Sequence, residues 1–380
     1  MDSVNYGLVG IGNTPNSAWP YHYAGTKDNP KINYTSVFDI DLKKGKKLAK
    51  IFNLKFYDSL EAMLESDIDA VLILVPHHAH EEVVVKAAKA GKHILCEKPM
   101  ATTLEGCNHM IEATKKAGVK FMIAENHRFL PAHQSIYDFI EGGFIGNPFM
   151  VRTFEGVYET HNINNPKSWK ASIEKAGGGA LMDMGVHKFA TLNWILNDTV
   201  ESAYCWLTKQ VTDMPEKGED NAFVFLKYHS GVIVECTLSF TVNSTPSNHL
   251  EIYGTIGSLI ENHSWKDPIR LYSSKKLDAE KNNGWYLPKI NHGAFPKYYF
   301  ISMGIEDAYF TECVLEDKDP KFKPEDAKEA VATTLLAYLS AIKGKTTNMN
   351  ELIDFYKKKG TESIFEQLPK AIQNNTILDK

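Results

Sequence analysis

Residues 6–15, YGLVGIGNTP, decide how the first third of this 380-residue chain reads. A β-rich run ends there in Gly10-Ile11-Gly12. Glycines at such a point let the backbone approach a pyrophosphate, and the N-terminus of a following helix offers free N–H groups and a positive dipole. Gly10, Ile11, Gly12 and Asn13 are therefore candidate cofactor contacts. Pro15 takes the third small position of the usual G-x-G-x-x-G/A pattern. Proline suits the first turn of a helix, so a longer loop with a helix starting near Ser17 is expected. Alone, the stretch also fits a plain strand-to-helix turn. Asp39 adds weight, closing TSVFD at residues 35–39. It lies beyond the usual spacing of ~20 residues by about the extra loop NTPNSAWPY. A carboxylate there accepts ribose hydroxyls and repels a 2′-phosphate, which favours NAD over NADP.

Working outward, residues 34–38, 70–75, 93–96 and 119–124 are further β-rich runs, separated by amphipathic stretches such as 81–90. That alternation predicts a parallel sheet covered by helices on both faces. After EGGFIGNP (141–148) the period changes. Runs at 149–157, 222–228, 232–240 and 250–253 predict a mostly antiparallel sheet, with helices at 185–196, after Pro296, and at 324–342. The expected fold is α/β: a Rossmann domain over 1–125, an α+β domain with a large open-faced, mostly antiparallel sheet over 126–345, and a helical extension over 346–380.

The net charge of −5 provides no basic field for nucleic acid. Five cysteines, Cys96, Cys107, Cys205, Cys236 and Cys313, are scattered and never form CxxC. They read as core thiols of a reducing compartment. No basic-then-apolar leader opens the chain, and no apolar run approaches ~18 residues. A cytoplasmic protein without membrane contact is expected.

Two motifs carry chemistry, CEKP at 96–99 and GGGALMDMGVH at 177–187. Pro99 biases Lys98 to an extended conformation at a strand end, where sheets of this kind border their ligand crevice. Asp183 and His187 are four apart and share a helical face. A lysine beside a dinucleotide, with a histidine that an acid can orient, is a workable set for removing a hydroxyl proton during oxidation. A solvated lysine and a helix-start carboxylate with a surface histidine are the plainer alternatives. His77, His78 and His80, beside Glu81 and Glu82, are too close together on one turn to converge on an ion, so no metal is expected.

VLILVPHHAH, AGKHILCEKPMA, ENHRFLPAH, GGFIGNP and GGGALMDMGVH occur in that order. With them the sequence resembles the glucose-fructose oxidoreductase/inositol dehydrogenase family, Gfo/Idh/MocA, over about residues 5–345. The resemblance implies a nicotinamide cofactor on a Rossmann domain and a substrate between the two domains. It implies that Lys98 bonds the reacting hydroxyl and the nicotinamide ribose, that Asp183 and His187 contact substrate, and that His187 is the base. Pro76, His80, Glu97, Asn126, Trp169 and Lys170 match positions lining the cofactor or the mouth of the site. His77 stands where Asn or a small polar residue is usual, and Lys170 where Arg is common. Arg128, Tyr158 and His161 are candidate substrate contacts, and Tyr298 is a further polar aromatic of that kind. The expected protein is an NAD-dependent dehydrogenase of a ring hydroxyl in a sugar, glycoside or cyclitol, acting as a homodimer or homotetramer paired through strands such as 232–240. An NAD-assisted glycoside hydrolase and a catalytically silent NAD sensor are the alternatives.

Overall fold

The run Ala70–Ile73 is wholly buried, as a parallel strand covered on both faces must be. It belongs to a computed structural model that describes residues 2–11, 18–212, 218–244 and 246–373. Gly12, Asn13 and Pro15 lie outside the described residues. The chain divides into two units, the first running to Phe129 and resuming over Tyr299–Lys328, the second comprising Leu130–Tyr298 and the chain from Glu329.

The first unit begins with β1 (Val4–Val9), α1 (Trp19–Thr26), β2 (Ile32–Phe38), α2 (Leu42–Phe52), β3 (Lys55–Phe56), α3 (Leu60–Leu64) and β4 (Ala70–Ile73). It continues through α4 (His80–Lys89), β5 (His93–Glu97), α5 (Leu104–Ala117) and β6 (Phe121–Ala124). The sheet order is β3-β2-β1-β4-β5-β6, every pairing parallel. Strand order reverses at β1, which lies between β2 and β4, and such a switch point opens a ligand crevice at the carboxyl ends of the strands. The helix expected near Ser17 is seen from Trp19, with Pro20 in its first turn.

The second unit has α6 (Pro131–Glu141), β7 (Pro148–Gly156), α7 (Thr160–Ile163), α8 (Ile173–Ala176) and α9 (Ala180–Leu196). Strands β8 (Val200–Thr208), β9 (Asn221–Tyr228), β10 (Ile233–Ser239), β11 (Ser247–Gly254) and β12 (Gly257–Asn262) follow. Then come β13 (Ile269–Ser273), β14 (Glu280–Asn282) and β15 (Trp285–Leu287). After α10 (Lys297–Leu315), the chain ends in α11 (Pro324–Lys343), β16 (Thr347–Asn348), α12 (Met349–Lys359) and α13 (Ser363–Gln373). These strands form one ten-stranded sheet in the order β14-β15-β13-β12-β11-β7-β10-β9-β8-β16. Its pairings are antiparallel except β7 with β10. Residues past 345 are integrated into this unit: Thr347 pairs with Ala203, and Ile364 and Leu368 are buried.

Three features depart from the sequence expectations. Helix α9 begins at Ala180 and not at 185, which places Asp183 in its first turn. Most of α10, grouped above with the second domain, belongs to the first unit. There Tyr6 Oη lies 2.8 Å from Thr311 Oγ1, and Tyr34 Oη donates to Asp307 at 3.2 Å. A side chain on Gly25 would meet the Phe300 carbonyl at 2.3 Å, so α1 and α10 touch backbone to backbone. Lastly, β10 has both edges paired within the chain, so residues 232–240 can meet another molecule only through their face.

Candidate functional site

In the first unit the candidates gather at the carboxyl ends of the strands. Gly10 follows β1 with φ +79°, a conformation that favours glycine, and a Cβ there would press on Val75 Cγ1 at 2.8 Å. The Ile11 amide donates to Asp39 Oδ2 at 3.0 Å, and the Asp41 amide to Asp39 Oδ1 at 2.7 Å. Asp39 is thereby fixed just past β2, and each carboxylate oxygen keeps acceptor capacity. A glycine and an oriented carboxylate on adjacent parallel strands fit the adenosine side of a dinucleotide.

Across the switch point, Pro76 starts the turn after β4, and His77 is buried beside His80. His80 has no exposed surface, with Nδ1 2.7 Å from the Pro99 carbonyl and Nε2 3.0 Å from that of Val75. Burial holds this imidazole below its usual pKa, so one N–H serves one carbonyl at a time. His80 therefore clamps the 75–76 turn to the Lys98-Pro99 segment. Lys98 itself is half-buried at the end of β5.

His22 is the residue that the sequence reading missed. It is fully buried in α1, with Nδ1 3.0 Å from both Asp307 oxygens and Nε2 3.1 Å from Glu97 Oε1. Burial alone would lower its pKa, but Asp307 and then Glu97 outweigh that and raise it well above 6.5. Glu97 Oε2 in turn accepts from the Lys98 amide at 3.1 Å. A cationic imidazole thus orients the carboxylate preceding Lys98. Nothing local in YHYAG signals this, because Asp307 arrives with α10. Asn126 donates to Ser302 Oγ at 3.1 Å. Arg128 lies over the Phe322 ring at 4.6 Å and 3.9 Å from Asp326, partners that give it a structural place in the first unit.

In the second unit the glycine-led motif starts α9, and its glycines leave room for two side chains. Glu219 Oε1 accepts from the Gly179 amide at 2.9 Å, the Leu181 amide at 3.0 Å and the Tyr338 hydroxyl at 2.7 Å. A Cβ on Gly179 would fall 1.9 Å from the Glu219 carbonyl oxygen, and one on Gly178 2.0 Å from Tyr338 Oη. Burial raises the Glu219 carboxyl, against the pull of the donors it faces. This buried carboxylate satisfies helix-start amides that no side chain of α9 itself caps.

With the start of α9 fixed, Asp183 points its Oδ2 at Lys170 Nζ, 2.9 Å away, and Glu159 Oε1 lies 3.3 Å from the same nitrogen. Burial works against the Lys170 charge, but Asp183 and Glu159 hold it above the usual lysine range. The Trp169 ring lies 5.8 Å from that ammonium. His187, one turn after Asp183, is 9 % exposed. Tyr158 and His161 are exposed, Tyr158 forming a bridge to Thr241. Tyr298 is buried and stacked on His292, away from solvent. The structure therefore brings Trp169, Lys170 and Asp183 together with Glu159, with His187 one turn further along α9, and the sequence reading misses Glu159 and Glu219.

Both units have counterparts among known proteins. Residues 4–125 match a family model described as an oxidoreductase family with an NAD-binding Rossmann fold, and residues 133–260 match the GFO/IDH/MocA C-terminal domain. A 1,5-anhydro-D-fructose reductase of Ensifer adhaerens is 33% identical, the match covering 60% of this chain and 67% of the relative. A 2,7-anhydro-N-acetylneuraminate hydratase of Escherichia coli (strain K12) is 30% identical over 92% of this chain and 98% of its own. Among solved structures, a levoglucosan dehydrogenase in complex with NADH and L-sorbose shares the fold with a TM-score of 0.80, at 22% identity over 92% of this chain and 100% of that one. A Rossmann unit with an aspartate-pinned turn after β1, joined to a ten-stranded, mostly antiparallel sheet unit, thus identifies the chain as a member of the Gfo/Idh/MocA family of NAD-binding oxidoreductases.

Proposed function

We propose that this dehydrogenase oxidises a ring secondary hydroxyl of a sugar, glycoside or cyclitol, or reduces the matching ketone, and that an anhydrosugar is the first substrate class to try. The observation that carries the reading is the Lys170–Asp183 pair at the start of α9, with His187 one turn later. It holds a carboxylate and an imidazole on one helical face, as acid–base handling of a hydroxyl requires. Both relatives described above bear names of anhydrosugar enzymes. NAD, when bound, supplies the two-electron acceptor. Lys98 holds the substrate oxygen and stabilises its developing negative charge. His187 takes the hydroxyl proton, and Asp183, itself held by Lys170, orients the reacting group. Asp39 receives the adenosine ribose and disfavours a 2′-phosphate, so NAD is preferred to NADP. Gly10, Ile11, Pro76, His77, Glu97, Asn126 and Trp169 complete the cofactor surroundings, and Tyr158 and His161 meet the hydroxyl-rich ligand.

A second reading rests on the near full-length match to a hydratase. It is a net non-redox reaction in which the substrate is oxidised transiently and the cofactor is restored in place. Incubating the enzyme with NAD and a panel of anhydrosugars, sugars, inositols and aryl glycosides tests both. Accumulating NADH supports the dehydrogenase, and product without net NADH supports the second reading. Neither signal with any member would remove both.

The assembly proposed is a homodimer or homotetramer. Trp206, Phe223, Phe225, Ile233 and Met150 are all exposed and lie on neighbouring registers of β8, β9, β10 and β7. These apolar side chains, with the Arg152–Glu235 ion pair set among them, make a face suited to a partner.

A further inference from the structure

Strand β12 alternates between buried and half-buried positions, and its inward side runs Gly257, Leu259, Glu261, with His263 one step past the strand end. Two positions where an apolar residue is expected thus carry a carboxylate and an imidazole. His133, in the first turn of α6, comes to meet them. Its Nε2 lies 4.0 Å from Glu261 Oε2, while His263 Nε2 lies 2.8 Å from Glu261 Oε1. One donor atom from each of the three residues falls within 4.8 Å of the other two, and all three side chains are buried. His292 is also fully buried, its ring 5.1 Å from that of His263 and stacked on Tyr298.

The contacts are close, yet they are not aimed as hydrogen bonds. Among the described residues neither Glu261 oxygen, and neither nitrogen of His292, has a hydrogen-bond partner. Buried polar atoms rarely go without one, and each exception calls for a cause such as an ion. Atoms that lie side by side without pointing at each other are disposed like ligands around a common centre. Metal bonds of ~2.0–2.2 Å set neighbouring ligand atoms roughly 3–3.5 Å apart. The donors of His133, Glu261 and His263 lie within 4.8 Å of one another, so closing to that spacing asks for side-chain rotation only, and His292 is the neighbouring imidazole outside that group of three. Lys188, the cation that acts on both Glu261 and His263, is engaged by Asn248 and by Glu155 at 3.4 Å.

We propose that His133, Glu261 and His263, with His292 as fourth ligand, bind one divalent transition-metal ion of the zinc class. Four protein donors leave no open position, so the ion is structural. It ties the start of α6, the end of β12 and the loop before α10 into one piece of the second unit. The proposal is independent of the substrate and cofactor readings.

The test is metal content and Co²⁺ spectroscopy on the full-length protein, stripped with a chelator and reloaded with Zn²⁺ or Co²⁺. Loaded wild type should retain about one ion per chain, show the visible bands of a low-coordinate Co²⁺ site, and melt several degrees higher than the stripped form. Glu261→Gln and His263→Ala should each weaken retention by roughly 100-fold or more, the upper end of what lesser changes around a metal site cause. Wild type that keeps no ion after Zn²⁺ loading and gives no Co²⁺ bands overturns the proposal, whether or not the variants fold. Undiminished retention in both variants overturns it equally, since the ion would then sit elsewhere.

Discussion

Lys170 Nζ lies 2.9 Å from Asp183 Oδ2 in the second unit, and the same ammonium reaches Glu159. Both carboxylates are largely shielded from solvent, at 15% and 16% side-chain exposure. Removing the cation leaves two like charges facing each other with little water to screen them. Lys170→Met should lower kcat/KM by roughly 10- to 100-fold, the size of losing a hydrogen bond to a charged group, and Lys170→Arg should restore part of it. Steady-state kinetics on the substrate found by the screen check this, and an unchanged kcat/KM in Lys170→Met refutes the positioning role.

The proposed function gives Lys98 and His187 separate parts in the proton chemistry. Lys98→Met keeps the apolar stem but removes the charge beside the forming alkoxide, so kcat should fall by roughly 10²-fold or more, with NAD affinity less affected. Oxidation needs the base in its neutral form, so kcat/KM should rise with pH on its acid limb. His187→Asn should lose that limb together with most activity. A His187→Asn enzyme that stays fast with the same pH profile transfers the base role to Lys98.

Asp39 is pinned by the amides of Ile11 and Asp41. Asp39→Ser should relax the cofactor preference toward NADP, read as the ratio of kcat/KM for the two cofactors. A wild-type preference for NADP would remove the role given to this carboxylate.

His80 provides a pH signature of stability. Burial depresses its folded-state pKa below the ordinary ~6.5. The unfolded chain therefore takes up a proton that the folded chain refuses. Its contribution is fully present above ~6.5 and declines as pH falls below that value. Thermal melts of wild type should drop on acidification through this range. His80→Gln, which keeps one amide donor for the carbonyls, should flatten the slope, and an identical slope would show that the folded chain protonates His80 as readily as the unfolded one.

Gly179 has no room for a methyl group beside the Glu219 carbonyl. Gly179→Ala should cost about 1–3 kcal/mol or more, and Tm should fall by roughly 2–4 °C per kcal/mol in a unit of this size. A variant that melts with wild type would mean that the start of α9 shifts at no cost.

The Rossmann strands were legible because parallel strands read as unbroken apolar runs, and β4 is four buried residues long. The two-residue β3 has too little sequence to carry a period. The start of α9 was misplaced because its cap is Glu219, 38 residues beyond Leu181 in the chain. No local propensity encodes a cap from that distance. Asp183 and His187 were singled out through the contiguous motif GGGALMDMGVH and the family resemblance it carries, which is local information; their i, i+4 spacing alone also fits a helix-start carboxylate and a surface histidine. His22 was not singled out, since its partner Asp307 is 285 positions away. The cluster at Glu261 left a faint trace, a charged residue on the inward beat of β12 and a histidine one step past its end.

The return of α10 to the first unit sets an order of events during synthesis. When Phe129 leaves the ribosome all six parallel strands exist, but Gly25 lacks the helix it touches and His22 lacks Asp307. Some 170 further residues separate Phe129 from Tyr299. At about 5–20 residues per second that is on the order of ten seconds or more of elongation. Throughout that interval the nascent nucleotide-binding half lacks the partners of three aromatic side chains, Tyr6, Tyr21 and Tyr34, which meet Thr311, Phe300 and Asp307 of α10. The surface left without them is the one a chaperone would meet first, and a truncation that ends at residue 129 would expose it permanently.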